Sequence, residues 1–173
     1  HPPTDRRVLV NGVDASVMTG GELVALTSQT YKPASEGDDP VIVHNGRPAS
    51  FQFDGSPWPH WTYDLGKGRT IEHSIVVRPG SARVILSWRL AGGNEEPVTL
   101  LVRPFLSGRD YHGVHHENPY FNFSVEVDPV GGRFIFQPYP SEPAVVAVSN
   151  GTFEHDPHWY RHFFYVEDHE RGL

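Results

Sequence analysis

Cysteine is missing from all 173 residues, and methionine occurs once. No disulfide framework and no thiolate nucleophile or metal ligand is therefore available. The same absence suits a cytoplasmic protein. Long apolar runs are also lacking. None approaches the roughly 20 residues that cross a bilayer, so no membrane partner is expected. No signal-peptide pattern is visible, and a chain beginning at His1 is expected to lack its natural N-terminus. Positive charge is scarce: 14 Lys and Arg face 21 Asp and Glu, for a formal net charge of −7. Nucleic acid is an unfavoured partner for such a surface. There is no glycine-rich phosphate loop, no nucleophile elbow and no internal repeat.

What the chain does have is turns and rings. It carries 17 glycines, 16 prolines and 12% aromatics, with tryptophan at 58, 61, 88 and 159. Short alternating runs between Gly, Pro and Asn breakers read as strands. Arg7 to Val10 and Val13 to Val17 form one pair about an Asn11-Gly12 turn. Met18 to Gly21 turns again, and Leu23 to Tyr31 follows. Lys32 to Pro40, with Glu36, Asp38 and Asp39, is an acidic loop without calcium-ligand spacing. Val41 to Val43 and Phe51 to Phe53 are short strands. Trp61, Tyr63 and Leu65 share one face of the next, as do Ile71, His73, Ile75 and Val77 of Arg69 to Val77. Ala82 to Leu90 and Val98 to Val102 complete a meander with that strand. Phe121, Phe123, Val125 and Val127 alternate, Phe134 to Phe136 is their partner, and Ala144 to Val148 comes last. Residues 159–172 show no helical period, and no helix is expected. About ten to twelve short strands in one domain spanning 1–173 predict an all-β, antiparallel two-sheet β-sandwich, with a barrel as the alternative.

Polar chemistry concentrates between Val98 and Phe123, read as strand, charged loop, strand. His112, His115, His116 and Glu117 have the composition of a zinc set. Their spacing matches neither a His-Glu-x-x-His helix nor a jelly-roll metal pattern, and a structural role is the simpler reading; neither metal nor cofactor is expected. Several carboxylates are present, among them Asp64, Glu72, Asp110, Glu117, Glu167 and Glu170. Nothing in the sequence pairs two of them across a glycosidic bond, so no catalytic residue is assigned. Arg103, Arg109, Asp110 and His112 have the donors and acceptors to hold a polyol, and Trp58 or Trp61 could stack on a sugar ring. The competing reading is an Arg109–Asp110–Arg103 network that pins a loop.

Three segments carry a family resemblance. Leu101-Val102-Arg103-Pro104-Phe105 with Gly108-Arg109-Asp110-Tyr111-His112 is the first. Trp61-Thr62-Tyr63-Asp64-Leu65-Gly66 with Ile71-Glu72-His73-Ser74-Ile75 is the second. The third is Trp159-Tyr160-Arg161-His162-Phe163-Phe164-Tyr165, then Glu167, Glu170, Arg171, Gly172 and Leu173. From Trp61 to Leu173 the chain resembles the N-terminal domain of bacterial and archaeal glycogen debranching enzymes, the amylo-alpha-1,6-glucosidases. The resemblance implies a supersandwich of galactose-mutarotase-like type, truncated at both ends. It also implies that the catalytic carboxylates belong to a C-terminal alpha/alpha-toroid domain absent here. Gly113-Val114-His115-His116 departs from the family pattern.

On that resemblance the parent protein is a glycoside hydrolase that opens alpha-1,6 branches in glycogen or a related alpha-glucan. The chain itself is expected to be inactive and to pack on the toroid, helping to shape the glucan site. Trp58, Trp61, Arg103, Arg109, Asp110 and His112 are the expected substrate or interdomain contacts. An autonomous carbohydrate-binding module and a purely structural domain remain the alternatives.

Overall fold

The computed structural model describes residues 6–35, 37–55, 57–93, 96–128, 130 and 132–172. His1, Glu36 and Leu173, named above, lie outside them. The chain is nearly all β, with several antiparallel sheets, consistent with a β-sandwich. Among the described residues, twelve strands precede one short helix. No described helix is long and apolar enough to cross a membrane. The chain falls into two compact units: His1–Val13, Thr30–Val41 and Pro104–Leu173 form the first, Asp14–Gln29 and Ile42–Arg103 the second.

The second unit is organised by a four-stranded antiparallel sheet of β5 (Ser50–Gln52), β6 (His60–Gly66), β7 (Arg69–Val77) and β8 (Val84–Ala91), in that order. Period-2 alternation puts Trp61, Tyr63, Leu65, Ile71 and Trp88 on one face. There they cover Ala15, Val17 and Leu26, which are 1%, 0% and 2% exposed. The β6–β7 connection is made by Gly66, Lys67 and Gly68, all at positive φ. Its tightness is enforced from β8: a Cβ on Gly92 would stand 2.0 Å from the Gly68 carbonyl oxygen, so only glycine fits. Arg69, 3% exposed, reaches Glu96 at 3.3 Å, while its Nε and Nη1 have no hydrogen-bond partner.

Strand β1 (Arg7–Thr19) is continuous, contrary to the expected Asn11-Gly12 turn. Neither residue takes the positive φ that a two-residue hairpin requires. That role falls to Gly20 and Gly21, at φ 56° and 81°, which join β1 to β2 (Glu22–Ala25). The expected strand from Leu23 to Tyr31 divides into β2 and β3 (Gln29–Tyr31), and β4 is Val41–Val43. Strand β9 (Val98–Asp110) neighbours β1 and not β8, so the expected meander stops at β8. It also runs eight residues beyond Val102. As an edge strand it tolerates Pro104, whose missing N–H is not needed by the ladder. Arg103, Arg109 and Asp110 therefore stand on a strand and not in the predicted loop.

The first unit contains the antiparallel sheet β10 (Val125–Asp128), β11 (Arg133–Phe136), β12 (Val145–Val148) and long irregular segments. Phe121 to Ser124 alternate as a strand would but form none. Asn122 instead donates its backbone N–H to the Pro138 carbonyl at 2.8 Å. Residues 30–32 and 162–164 hold each other through Lys32 N–H to His162 O, 2.7 Å, and Phe164 N–H to Thr30 O, 2.8 Å. The tail, expected to be irregular, closes with α1 (Val166–Glu170). Glu167 and Asp168 in its first turn suit the helix dipole, and Arg171 reaches back to Glu167 at 3.3 Å.

Candidate functional site

In the first unit the predicted polar cluster is largely turned on itself. Along β9, Phe105 and Ser107 point inward at 8% and 3% exposure. Gly108 then adopts φ 79°, and a side chain there would meet the Tyr139 ring at 3.1 Å. The ring is thus free to lie against the strand and direct its hydroxyl to His115 Nε2, 2.6 Å away. Asn118 Nδ2 donates to the same hydroxyl at 2.8 Å and, as a donor only, also faces Nε2 at 3.1 Å, so Nε2 is the acceptor of the ring. That leaves the His115 proton on Nδ1, which faces Ser107 Oγ at 3.4 Å. Tyr139, Trp159 and Phe121 surround the imidazole with centroids at 5.7, 5.8 and 6.2 Å. Burial pushes its pKa down, and the charges of His116 and Arg109 add to the effect. His115 is a neutral, fully bonded keystone.

Arg109 pins the loop that follows. Its Nη1 donates to the Gly113 carbonyl at 2.7 Å and to those of Asp110 and Tyr111 at 3.3 and 3.4 Å. Its Nε faces Asn11 Oδ1 at 3.4 Å, Nη2 lies 3.6 Å from Asp168 Oδ2, and the guanidinium covers the Tyr165 ring at 5.7 Å. Asp110 accepts the backbone N–H of His112 at 2.8 Å, and this bond foremost holds its carboxyl below the usual range. His112 is exposed, with Nδ1 3.5 Å from the same carboxylate oxygen. Arg109, Asp110 and His112 are thus brought together, as a loop anchor. Glu117 is taken by Arg161 Nε at 2.6 Å and by its Nη2. Among the described residues no group of three or more His, Asp or Glu is placed to hold a metal.

Trp58, Trp61 and Arg103 belong to the second unit. Trp61 is one rung of a ring ladder that crosses the whole sheet on its core-facing side. Phe51 opposes Trp61, Trp61 opposes His73, and His73 opposes Trp88, with centroids 5.2, 5.3 and 4.6 Å apart. His73 sits between two indoles with Nδ1 3.0 Å from the Ser87 carbonyl, and burial lowers its pKa. The alternation made each ring's face legible; the register that stacks them was not.

The opposite face is polar in its middle rows, with Val76 and Ile85 beyond them. Register aligns Gln52, His60, Ser74 and Ser87 in one row and Ser50, Thr62, Glu72 and Arg89 in the next. Arg89 clasps Glu72 Oε2 through Nε at 3.0 Å and Nη2 at 2.6 Å. Trp58, between Pro57 and Pro59, is 37% exposed and lies 6.3 Å from the His60 ring. Arg103 is half-buried on β9.

Comparison with known families decides what this scaffold is. The family model described as glycogen debranching enzyme N terminal matches residues 1–173. The chain belongs to that family. No curated protein and no solved structure matches it. Membership agrees with the three motif segments, and it makes this a domain family of an enzyme that acts on glucan. Of the residues expected to contact sugar, Arg109 turns its guanidinium onto partners within its own unit, and Asp110 engages one carboxylate oxygen with His112.

Proposed function

We propose that this chain is the non-catalytic N-terminal domain of a glycogen debranching enzyme, docked on an alpha/alpha-toroid catalytic domain and helping to shape its glucan site. One observation carries the docking. Leu100, Leu101 and Val102 are consecutive on β9, so they point to both faces of the strand, yet they are 37%, 46% and 40% exposed. Val84 and Ile85 on β8 are similarly open at 61% and 59%. Consecutive uncovered aliphatics on edge strands suit a cover from elsewhere in the polypeptide. The absence of catalysis is supported by the prominent carboxylates being engaged: Glu72 with Arg89, Glu117 with Arg161, Asp168 with Arg109. On this reading the protein works on glycogen in the cytoplasm, and the six residues Trp58, Trp61, Arg103, Arg109, Asp110 and His112 are divided between glucan contact and support.

The test is co-expression with a separately encoded catalytic half. Co-purification is expected, and Leu101→Glu should abolish it while leaving the β-sheet circular dichroism intact. Failure of the unaltered chain to co-purify counts against docking. A second reading, an autonomous carbohydrate-binding module, is favoured by Trp58, an exposed indole held between two prolines.

A further inference from the structure

We propose that the solvent face of the β5–β8 sheet is itself a shallow binding strip for an alpha-glucan chain, with Trp58 as its stacking platform. This takes the class of sugar from the family reading above, but it does not depend on docking to a catalytic domain.

The two faces of this sheet divide their labour. Trp61, His73 and Trp88 stack towards the core, so they are committed to holding the sheet. Trp58 lies beside His60, whose neighbours in the pleat, Trp61 and Tyr63, face the other way. An indole flanked by prolines loses little freedom on binding, and a sugar ring offers it a C–H face to cover.

Next to that indole the register assembles side chains that both give and take hydrogen bonds: Gln52, His60 and Ser74 in one row, Thr62 in the next. Hydroxyls and amides of this kind match the mixed donors and acceptors of a polyol. Charge agrees. In the two rows beside Trp58 the formal charges, at Glu72 and Arg89, are closed on each other in a two-bond clasp, and Asp64 further along β6 turns one oxygen to the Gly66 N–H, so these rows carry no net charge. A neutral polymer fits it; a polyanion would meet a protein of net charge −7. The strip is open and not a cleft, so each contact is weak, and a branched polymer with many chain ends compensates by multiple engagement.

Electrophoresis of the 173-residue chain in native gels, with and without glycogen, tests this. Glycogen should retard the unaltered chain. Trp58→Ala should weaken the retardation about fivefold or more, the loss expected of one stacking contact. Ser74→Arg, which puts bulk into the row and leaves Trp58 in place, should weaken it as well. Tyr120→Ala, at a side chain 79% exposed in the other unit, should not. If Trp58→Ala disturbs the circular dichroism, Ser74→Arg decides. The proposal is overturned by no retardation of the unaltered chain, by variants that migrate as it does, or by equal retardation in heparin. None of these results touches co-purification with the catalytic half, so the two ideas fail separately.

Discussion

The two units hold themselves together in different ways. The second is written in backbone: β6, β7 and β8 pair residue against residue over most of their length, and side chains fall into place on two faces. The first leans more on side chains. Its β10–β12 sheet has strands of four residues each, and the long irregular segments around that sheet are fixed by rings and by a few polar contacts such as Arg109 to Gly113 and Tyr139 to His115. A ladder tolerates the loss of one rung, whereas a keystone does not share its load.

The sharpest way to break this contrast is to remove one tryptophan from each unit. Trp159 meets Phe121, Phe123 and His115 at 4.9, 5.6 and 5.8 Å. Trp159→Ala should cost about 3 kcal/mol in urea unfolding, and Trp61→Ala about 2, since the strand pairs around Trp61 survive. The reverse order would sink the comparison. A smaller effect comes from Tyr139→Phe, which takes the shortest contact from His115 Nε2 and leaves Asn118 Nδ2, 3.1 Å away, as its partner; it should cost about 1 kcal/mol.

Acid acts on both units at once. His73 and His115 are each held neutral by burial, with folded pKa values below the ordinary 6.5. Unfolded, each takes up its proton near 6.5. Stability should therefore be flat above that pH and fall as pH drops through the lower folded values. Melting temperatures between pH 7.5 and 5 check this, and His73→Phe should flatten part of the slope. A curve with no decline over that range contradicts both assignments. The smallest effect is expected at Arg89→Ala, whose exposed pair with Glu72 should contribute no more than about 0.5 kcal/mol. A larger loss would mean that the polar face supports the fold.

The same contrast explains what the sequence made legible. Val41–Val43 and Arg69–Val77 have the bounds that alternation and turn residues suggest, and Trp61, Tyr63 and Leu65 share the core face as expected. Pleat parity is local information. Phe121 and Phe123 alternate just as well, yet their rings go to Trp159 and no strand forms there. Asn11-Gly12 has turn chemistry, but Asn11 Oδ1 faces Arg109 from 98 positions away. The helix at 166–170 is too short for a period to show. For Arg109 itself, the choice between gripping a sugar and pinning a loop depended on partners at 11, 113 and 168, which no local spacing reveals.

Each of the four tryptophans has an imidazole at its side: Trp58 has His60, Trp61 and Trp88 share His73, and Trp159 has His115. A protonated imidazole quenches indole emission. The protein therefore carries its own optical reporters: the emission of Trp61, Trp88 and Trp159 should dim as His73 and His115 gain charge, and the Trp58 signal should respond separately to whatever settles on the outer sheet.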